Sequence, residues 1–308
     1  MRDMESILIT GVSGFLGRVI ARHFARQGCA VFGVDRASVE NAPIADLKAY
    51  SALTLPEPCF ESLLAEWQPQ AIIHCAGRAS VPQSMQNPAE DYQQGPVLTF
   101  FVLDALRRVV PECAFLLLSS AAVYGNPAHL PVSEDDSPAP ISAYGFHKWQ
   151  SELICQEFAS LYGLKTASAR VFSAYGPGLR RQVMWDLAYK ALTQKEILLQ
   201  GTGQESRDFI HAHDIALALE MILAHAPMQG EAYNVANGEQ ITISVLAFMI
   251  LNALGLDLLV RASGLAQPGT PLNWQADISR LSALDYAPKI PLEEGIRSFT
   301  AWCREEIE

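Results

Sequence analysis

The stretch Ile7-Leu8-Ile9-Thr10-Gly11-Val12-Ser13-Gly14-Phe15-Leu16-Gly17 decides the fold. Its apolar start is typical of a buried strand, and the pattern from Val19 to Phe24 that follows it is helical. Glycines at a strand-to-helix turn allow the backbone to approach a diphosphate, whose charge then lies at the helix N-terminus. The residues expected around such a diphosphate are Gly11, Ser13, Gly14, Phe15, Leu16 and Gly17.

A second strand, from Ala30 to Val34, ends at Asp35, which stands 18 residues beyond Gly17. An acid at this place can accept hydrogen bonds from both hydroxyls of an adenosine ribose. The non-functional alternative is a glycine-rich turn beside a solvated aspartate. The order of the elements, which is strand, turn, helix, strand and acid, instead predicts a dinucleotide site. Asp35 favours NAD over NADP because its carboxylate would repel a 2′-phosphate. Arg36 follows directly and could accommodate that phosphate, so NADP stays open.

The following segments extend the alternation of strands and helices. A helix from Phe60 to Trp67 precedes the apolar run 71–74, and prolines bracket an expected edge strand near 52–55. The run ends in Cys75, Ala76 and Gly77, whose small side chains would let a cofactor lie against the strand end. A helix over 97–110 is apolar nearly all round and is expected in the core or in a subunit contact. Because the strands are apolar rather than alternating, we predict an α/β fold with a doubly wound parallel (Rossmann) sheet.

A second motif carries acid–base chemistry. Tyr144 and Lys148 stand four residues apart, so they share one face if the segment is helical. A phenol is a poor base at neutral pH until a neighbouring cation favours its phenolate, and Lys148 can be that cation. Ser120 follows the apolar strand 115–118 and could hydrogen-bond the oxygen that loses its proton. A tyrosine and a lysine share a helix face by accident in many proteins, so the motif depends on what precedes it.

Composition excludes several classes of function. Among 308 residues, 33 are acidic and 22 basic, and no Lys/Arg run occurs, so neither a nucleic-acid partner nor an anionic membrane is expected. The six cysteines are scattered, which is typical of thiols in a reducing compartment. No stretch is predicted to be a signal peptide or a membrane span, so a cytoplasmic location is expected. His211 and His213 beside Asp214 predict a helix cap and no metal site.

In this order, the motifs resemble the extended short-chain dehydrogenase/reductase family, more closely its NAD-dependent nucleotide-sugar epimerase/dehydratase branch. The resemblance runs from Ile7 to about Leu292 and rests on seven motifs: Gly11-xx-Gly14-xx-Gly17, His74-Cys75-Ala76-Gly77, Ser120 to Gly125, Tyr144-xxx-Lys148, Arg170 to Pro177, Arg207 to His211 and Tyr233 to Gly238. It implies a bound NAD, with Phe172 among its contacts, and a Tyr144 that takes a proton from a sugar hydroxyl while hydride moves to the nicotinamide. Lys148 would hold the nicotinamide ribose, and Ser120 the reacting oxygen.

The resemblance also implies where the substrate binds. A dinucleotide-binding domain is expected over 1–174, with 209–258 partly returning to it, and a substrate lobe over 175–208 and 259–308. The expected substrate contacts are Ser120, Ala121, Tyr144, Ser173, Arg180, Arg181 and Arg207. Arg207 is expected at the nucleotide diphosphate, with an ion pair to Asp208 as the alternative.

Three departures from the family pattern narrow the expectations. Ala121 and Ala122 replace the acids of the 4,6-dehydratases, and methyl groups cannot move protons, so dehydration is disfavoured. Gly95-Pro96 replaces a usual Asn-Val pair, which puts the local backbone in doubt. Gln267 replaces an arginine that would clasp the diphosphate, and Arg180 or Arg181 is a candidate substitute.

The sequence therefore predicts an NAD-dependent nucleotide-sugar epimerase, acting at C4 of a hexose through a 4-keto intermediate. One alternative is an NAD(P)H-dependent reductase of nucleotide-linked 4-keto-6-deoxyhexoses. Another is a non-catalytic dinucleotide sensor, against which the intact Ser120, Tyr144 and Lys148 set argues. A homodimer through the apolar helices around 97–110 and 145–161 is expected.

Overall fold

The structure is a computed structural model and describes residues 4–42, 44–264 and 271–307. Its strands are β1 (Ser6–Thr10), β2 (Ala30–Asp35), β3 (Ala49–Ala52), β4 (Ala71–His74), β5 (Ala114–Ser120), β6 (Thr166–Val171), β7 (Ser173–Tyr175), β8 (Glu196–Leu199), β9 (Ser206–Arg207), β10 (Phe209–His211), β11 (Gln229–Val235), β12 (Ile241–Thr242) and β13 (Leu259–Ala262). Its helices are α1 (Phe15–Arg26), α2 (Phe60–Trp67), α3 (Val81–Gln86), α4 (Pro88–Tyr92), α5 (Leu98–Val109), α6 (Ala143–Tyr162), α7 (Gln182–Thr193), α8 (Ala212–His225), α9 (Ile243–Leu254), α10 (Ser279–Ser282) and α11 (Leu292–Ile307).

One parallel sheet organises the chain. Seven strands lie in the order β3-β2-β1-β4-β5-β6-β11, and every neighbouring pair is parallel. The strand order reverses direction at β1, between β2 on one side and β4 on the other. Crevices beyond the carboxyl ends of strands at such a switch point are where α/β sheets bind ligands. The predicted doubly wound parallel sheet is confirmed.

Both faces of the sheet are covered, which is why its central strands β1, β4 and β5 are largely apolar. Ile7 and Ile9 point to the face packed by α1 and α8. Leu8, between them, points to the opposite face, which α2, α5 and α6 cover. These residues are fully buried, so the sheet forms a rigid base for the loops at its carboxyl edge.

A separate apolar cluster lies among α7, α9 and α11, with Leu187, Leu246 and Phe299 at its centre. Strands β8 and β13 pair beside it in a two-stranded sheet of their own. Within the range 209–258, β11 joins the large sheet, whereas α9 packs with α7 and α11.

One local prediction needs correction. The edge strand expected near 52–55 ends at Ala52, where pairing with Asp35 stops and the chain continues toward Pro56. Helix α5 was expected in the core or in a subunit contact; Val102 and Leu106 are buried in the core, whereas Phe100 is 46 % exposed, so the subunit contact stays a prediction. Gly95 and Pro96 lie in a π-helical turn, Gln93–Val97, which admits a proline because its wider ring changes the hydrogen-bond pattern. Within the described ranges, no helix has both the length and the apolarity to cross a bilayer.

Candidate active site

The glycine turn is closely packed against the end of β4. A Cβ on Gly11 would lie 2.7 Å from the backbone nitrogen of Ala76, and Gly11 has a φ of +71°. A Cβ on Gly17 would overlap the carbonyl oxygen of Gly11. Gly14 is the N-cap of α1 and supplies no side-chain cap. The first-turn N–H groups of α1 therefore have no side-chain acceptor among the described residues, as a diphosphate site requires.

A second observation at this turn also fits a dinucleotide. The hydroxyl of Ser13 is buried near Tyr50, and no hydrogen bond of ordinary geometry joins it to a described residue. A buried unsatisfied hydroxyl costs free energy, and a phosphate oxygen at the start of α1 would accept its proton. The glycine turn and Ser13 thus fit the diphosphate of NAD.

Asp35 lies at the carboxyl end of β2, beside the glycine turn. Its carboxylate accepts from the backbone N–H of Ser13 at 2.9 Å and from that of Ala37 at 3.1 Å. Those bonds fix its orientation and leave lone pairs for ribose hydroxyls. The neighbouring Arg36 is exposed and forms no hydrogen bond or ion pair with any described residue.

At the carboxyl end of β4, buried polar side chains lie beside residues with small side chains. The hydroxyl of Thr10 lies 2.7 Å from Nδ1 of His74 and accepts from the backbone N–H of Ala76 at 3.4 Å. Burial, together with the smaller effect of the Lys148 charge, lowers the pKa of His74 to about 3, so the imidazole is neutral. Burial likewise raises the pKa of the Cys75 thiol to about 12, which excludes a thiolate nucleophile there.

Tyr144 and Lys148 share the first turns of α6, as the spacing predicted. The hydroxyl of Ser142 caps this helix by accepting from the N–H of Gly145 at 3.1 Å. Nζ of Lys148 lies 5.8 Å from the centre of the Tyr144 ring and donates to the carbonyl oxygen of Leu118 at 2.8 Å. No carboxylate pairs with Lys148 in the described part of the chain, so its ammonium group lies beside the Tyr144 ring without a counter-ion.

Ser120 stands at the end of β5 and begins the 3-10 turn Ala121–Tyr124. Its oxygen accepts from the N–H of Ala122 at 3.2 Å, which leaves the hydroxyl proton free to donate. The turn presses on α6, because a Cβ on Gly145 would lie 2.5 Å from the carbonyl oxygen of Ala122. Ser120 and Tyr144 are thus on two elements in direct contact. The side chain of the neighbouring Ala121 is fully buried.

A buried ionic network supports the Ser120 turn and α6, and the sequence reasoning did not select it. Glu152, two turns after Tyr144, forms a bidentate pair with Arg170 at 2.7 and 3.1 Å and accepts from the hydroxyl of Ser119. Arg170 also donates to the hydroxyl of Tyr124 at 2.8 Å. The network ties α6 to the ends of β5 and β6. The Arg170 motif and the helical spacing from Lys148 to Glu152 were its only signals in the sequence.

Arg207 lines a cavity of about 380 Å³ between α7, β8 and the 271–272 segment. Its guanidinium donates to the carbonyl oxygens of Ser206 at 2.6 Å, Pro271 at 2.8 Å and Leu272 at 3.1 Å. Partial burial lowers its pKa to about 10, which Glu205 offsets only in part. Across the described ranges no ion pair joins it to Asp208, whose carboxylate instead accepts from the N–H groups of Asn237, Gly238 and Ala276.

The other predicted substrate and cofactor residues lie as follows. Arg180 pairs with Glu306 on the surface, and Arg181 donates to the carbonyl oxygen of Ala79 at 2.8 Å. Phe172 is 5 % exposed and packs edge-on to Trp274. Ser173 is partly buried at the start of β7. Gln267 lies outside the described residues.

His211, close to Asp214 in the sequence, caps a helix. Nδ1 of His211 accepts from the N–H of His213 at 3.3 Å at the start of α8, and the carboxylate of Asp214 accepts from the N–H groups of Lys289 and Ile290. A search of the described residues finds no His/Cys/Asp/Glu group arranged to hold a metal ion.

Comparison with known proteins decides the family. The model of the NAD dependent epimerase/dehydratase family matches residues 7–236. The chain belongs to this family. The predicted family and its NAD dependence are therefore confirmed.

Three relatives of this family member illustrate the similarity. It is 26 % identical to a putative UDP-glucose 4-epimerase of Methanocaldococcus jannaschii, over 97 % of this chain and 98 % of the relative. It is 28 % identical to a GDP-6-deoxy-D-mannose reductase of Pseudomonas aeruginosa, over 82 % of each chain. The solved structure of a Thermus thermophilus UDP-glucose 4-epimerase complex with NAD superimposes with a TM-score of 0.87 at 25 % identity, covering 97 % of this chain and 99 % of that one.

Proposed function

We propose that this chain is an NAD-dependent nucleotide-sugar epimerase that inverts C4 of a hexose. The observation that carries the proposal is the position of Tyr144 and Lys148 on α6, in direct contact with the turn that Ser120 begins, at the sheet edge that also bears the glycine turn. A phenol with a free neighbouring cation can accept a proton from a secondary alcohol, which is the proton step of alcohol oxidation. The related 4-epimerases support the choice of C4.

In the proposed mechanism, Tyr144 Oη takes the proton of the sugar 4-hydroxyl, and the positive charge of Lys148 favours the resulting phenolate. Ser120 donates to the same sugar oxygen and orients it. Bound NAD would supply the acceptor for the hydride from C4 and, once the keto sugar has turned its other face to the cofactor, the donor that returns it. Tyr144 then gives its proton back, so protons and electrons balance over the cycle.

Ala121 and Ala122 argue against a dehydration step, because neither side chain can transfer a proton and both are buried. The related GDP-sugar reductase keeps a ketone reduction as the second candidate function. Incubation with UDP-hexoses and no added NADH separates the two. Interconversion of the C4 epimers without net redox change supports the epimerase, whereas turnover that requires stoichiometric NADH or NADPH would replace it by the reductase.

Arg207 is proposed to bind the substrate diphosphate, since its guanidinium lines the cavity without a carboxylate partner among the described residues. Charge-assisted bonds to phosphate are worth about 1.5–3 kcal/mol. Arg207→Gln should therefore raise the Kd for UDP, measured by calorimetry, by about 10- to 100-fold. Arg180→Gln and Arg181→Gln are the matched controls and should stay near the wild-type affinity. The reverse pattern would move the diphosphate contact to Arg180 or Arg181.

A homodimer through α5 and α6 is also proposed. An exposed apolar surface on these helices contains Phe100, Phe146, Leu153 and Leu161, with 44 to 70 % of each residue exposed. Exposed apolar patches of this kind mark protein contacts. Leu153→Glu should convert the dimer to a monomer in sedimentation experiments. Leu198→Glu, at an exposed leucine on β8, should leave it intact. A wild-type protein that sediments as a monomer would refute the interface.

The remaining proposals concern organisation and compartment. We infer a dinucleotide-binding domain over 1–174, partly completed by 209–258, and a substrate lobe over 175–208 and 259–308. The separate apolar cluster around α7, α9 and α11 supports a distinct lobe. A reducing, cytoplasmic compartment is supported by the six cysteines, which are all free.

A further inference from the structure

Trp274 contacts both halves of the proposed site. It is 9 % exposed and lies in an apolar cluster with Ala121, Ala122 and Phe172, against which Tyr144 packs. Its indole N–H donates to the carbonyl oxygen of Gly125 at 3.0 Å. The face of the indole ring packs against Arg207, whose guanidinium carbon lies 5.4 Å from the ring centre.

The contact with Gly125 holds the end of the turn that Ser120 begins. Gly125 follows the 3-10 turn Ala121–Tyr124 and has φ +59° and ψ −117°, a conformation that L side chains rarely adopt. Its N–H donates to the carbonyl oxygen of Ala122 at 3.3 Å, while its own carbonyl oxygen accepts from Trp274. The indole N–H therefore fixes the turn at the end opposite Ser120.

The ring face of Trp274 packs against the guanidinium of Arg207. Pro271 and Leu272, just before Trp274, accept from the same guanidinium with their carbonyl oxygens. The backbone N–H of Trp274 donates to the carbonyl oxygen of Ser206 at 3.2 Å, which ties the segment to β9. An aromatic face beneath a partly desolvated guanidinium is attractive and restricts its orientation.

We propose that Trp274 is a positioning residue that links Arg207 to the Ser120–Gly125 turn. Its ring face orients the arginine toward the diphosphate, and its N–H fixes the turn that aims Ser120 at the sugar oxygen. The inference rests on the proposed function for the identity of the substrate. The ring face of Trp274 thus contributes to substrate affinity, and its N–H group contributes to the chemical step.

Two variants separate these roles. Trp274→Phe keeps an aromatic face for Arg207 and removes the N–H donor, so kcat for UDP-hexose epimerisation should fall about tenfold, the value of one lost hydrogen bond, while the Kd for UDP stays within about twofold. Trp274→Leu removes both contacts, so the same fall in kcat should be joined by a rise in the Kd for UDP of about tenfold. The measurements are steady-state kinetics and calorimetric titration with UDP.

Trp302→Phe is the matched control, because Trp302 packs against Trp185 and Phe299 in the other apolar cluster. It should lower Tm without changing kcat or Kd. Wild-type kcat in Trp274→Phe, or equal UDP affinity in Trp274→Leu and the wild type, would overturn the inference. So would parallel losses of kcat and affinity in both variants, which a merely structural role predicts. A wild-type enzyme that converts no UDP-hexose would instead contradict the proposed function, and the UDP titrations would still decide the role of the ring face.

Discussion

Tyr144→Phe is expected to lower kcat by about three orders of magnitude, within the range that general acid–base groups contribute. The phenyl ring keeps its packing against the cluster around Trp274 and its distance from Lys148, so only the proton carrier is lost. Bound NAD should remain at the wild-type level, because the glycine turn that fits its diphosphate is untouched. The measurement combines epimerisation rates with the cofactor content of the purified protein.

Tyr162→Phe is the control for that substitution. Tyr162 lies at the far end of the same helix, is 50 % exposed and contacts Arg107 through its ring face, which phenylalanine preserves. It should leave both kcat and cofactor content unchanged. If Tyr144→Phe retained the wild-type rate on every UDP-hexose that the wild type converts, the assignment of Tyr144 as proton carrier would be wrong.

Arg170→Met should lower the free energy of unfolding by about 3–5 kcal/mol, because it leaves the carboxylate of Glu152 buried without its counter-charge. Both partners are almost inaccessible, with side-chain exposures of 5 % and 2 %. Urea unfolding at neutral pH measures the loss. The substitution should also reduce activity, since the network joins the helix of Tyr144 to the strand that ends at Ser120.

The double variant Arg170→Met/Glu152→Met tests the origin of that loss. Replacing both partners of a buried pair by apolar residues removes the uncompensated charge and is often near neutral. The double variant should therefore recover most of the stability that the single variant loses. Equal instability of the two variants would show that the pair acts through packing rather than through charge.

The sheet and the dinucleotide turn were predictable because their signals are local. An apolar run, three glycines and an acid at a fixed distance specify β1, α1 and β2 without reference to the rest of the chain. The edge strand near Ala52 was misplaced because the prolines at 56 and 58 do not mark its end. They show only that the chain cannot pair there, and the strand ends earlier, at Ala52. Gly95 and Pro96 marked an irregular backbone, but they did not specify the π-helical turn that the chain forms there.

The supporting residues of the site were not predictable for the opposite reason. Trp274 and Gly125 are 149 positions apart in the sequence, and no local sequence pattern predicts that they form a hydrogen bond. The bond from Tyr124 to Asn234 spans 110 positions. The spacing of Tyr144 and Lys148 indicates what chemistry is possible, whereas the contacts that aim it arise only when distant segments pack together.

Strand β6 has its outer neighbour, β11, at Gln229–Val235, more than fifty residues further along the chain. A nascent chain that has left the ribosome only as far as β7 therefore presents β6 as an open edge, with its backbone groups free to pair with another molecule. During synthesis, the parallel sheet therefore cannot gain its last strand until most of the second half of the chain has left the ribosome. Expression of the N-terminal portion alone should favour aggregation, so a split of this enzyme into two co-expressed pieces would have to fall after Val235.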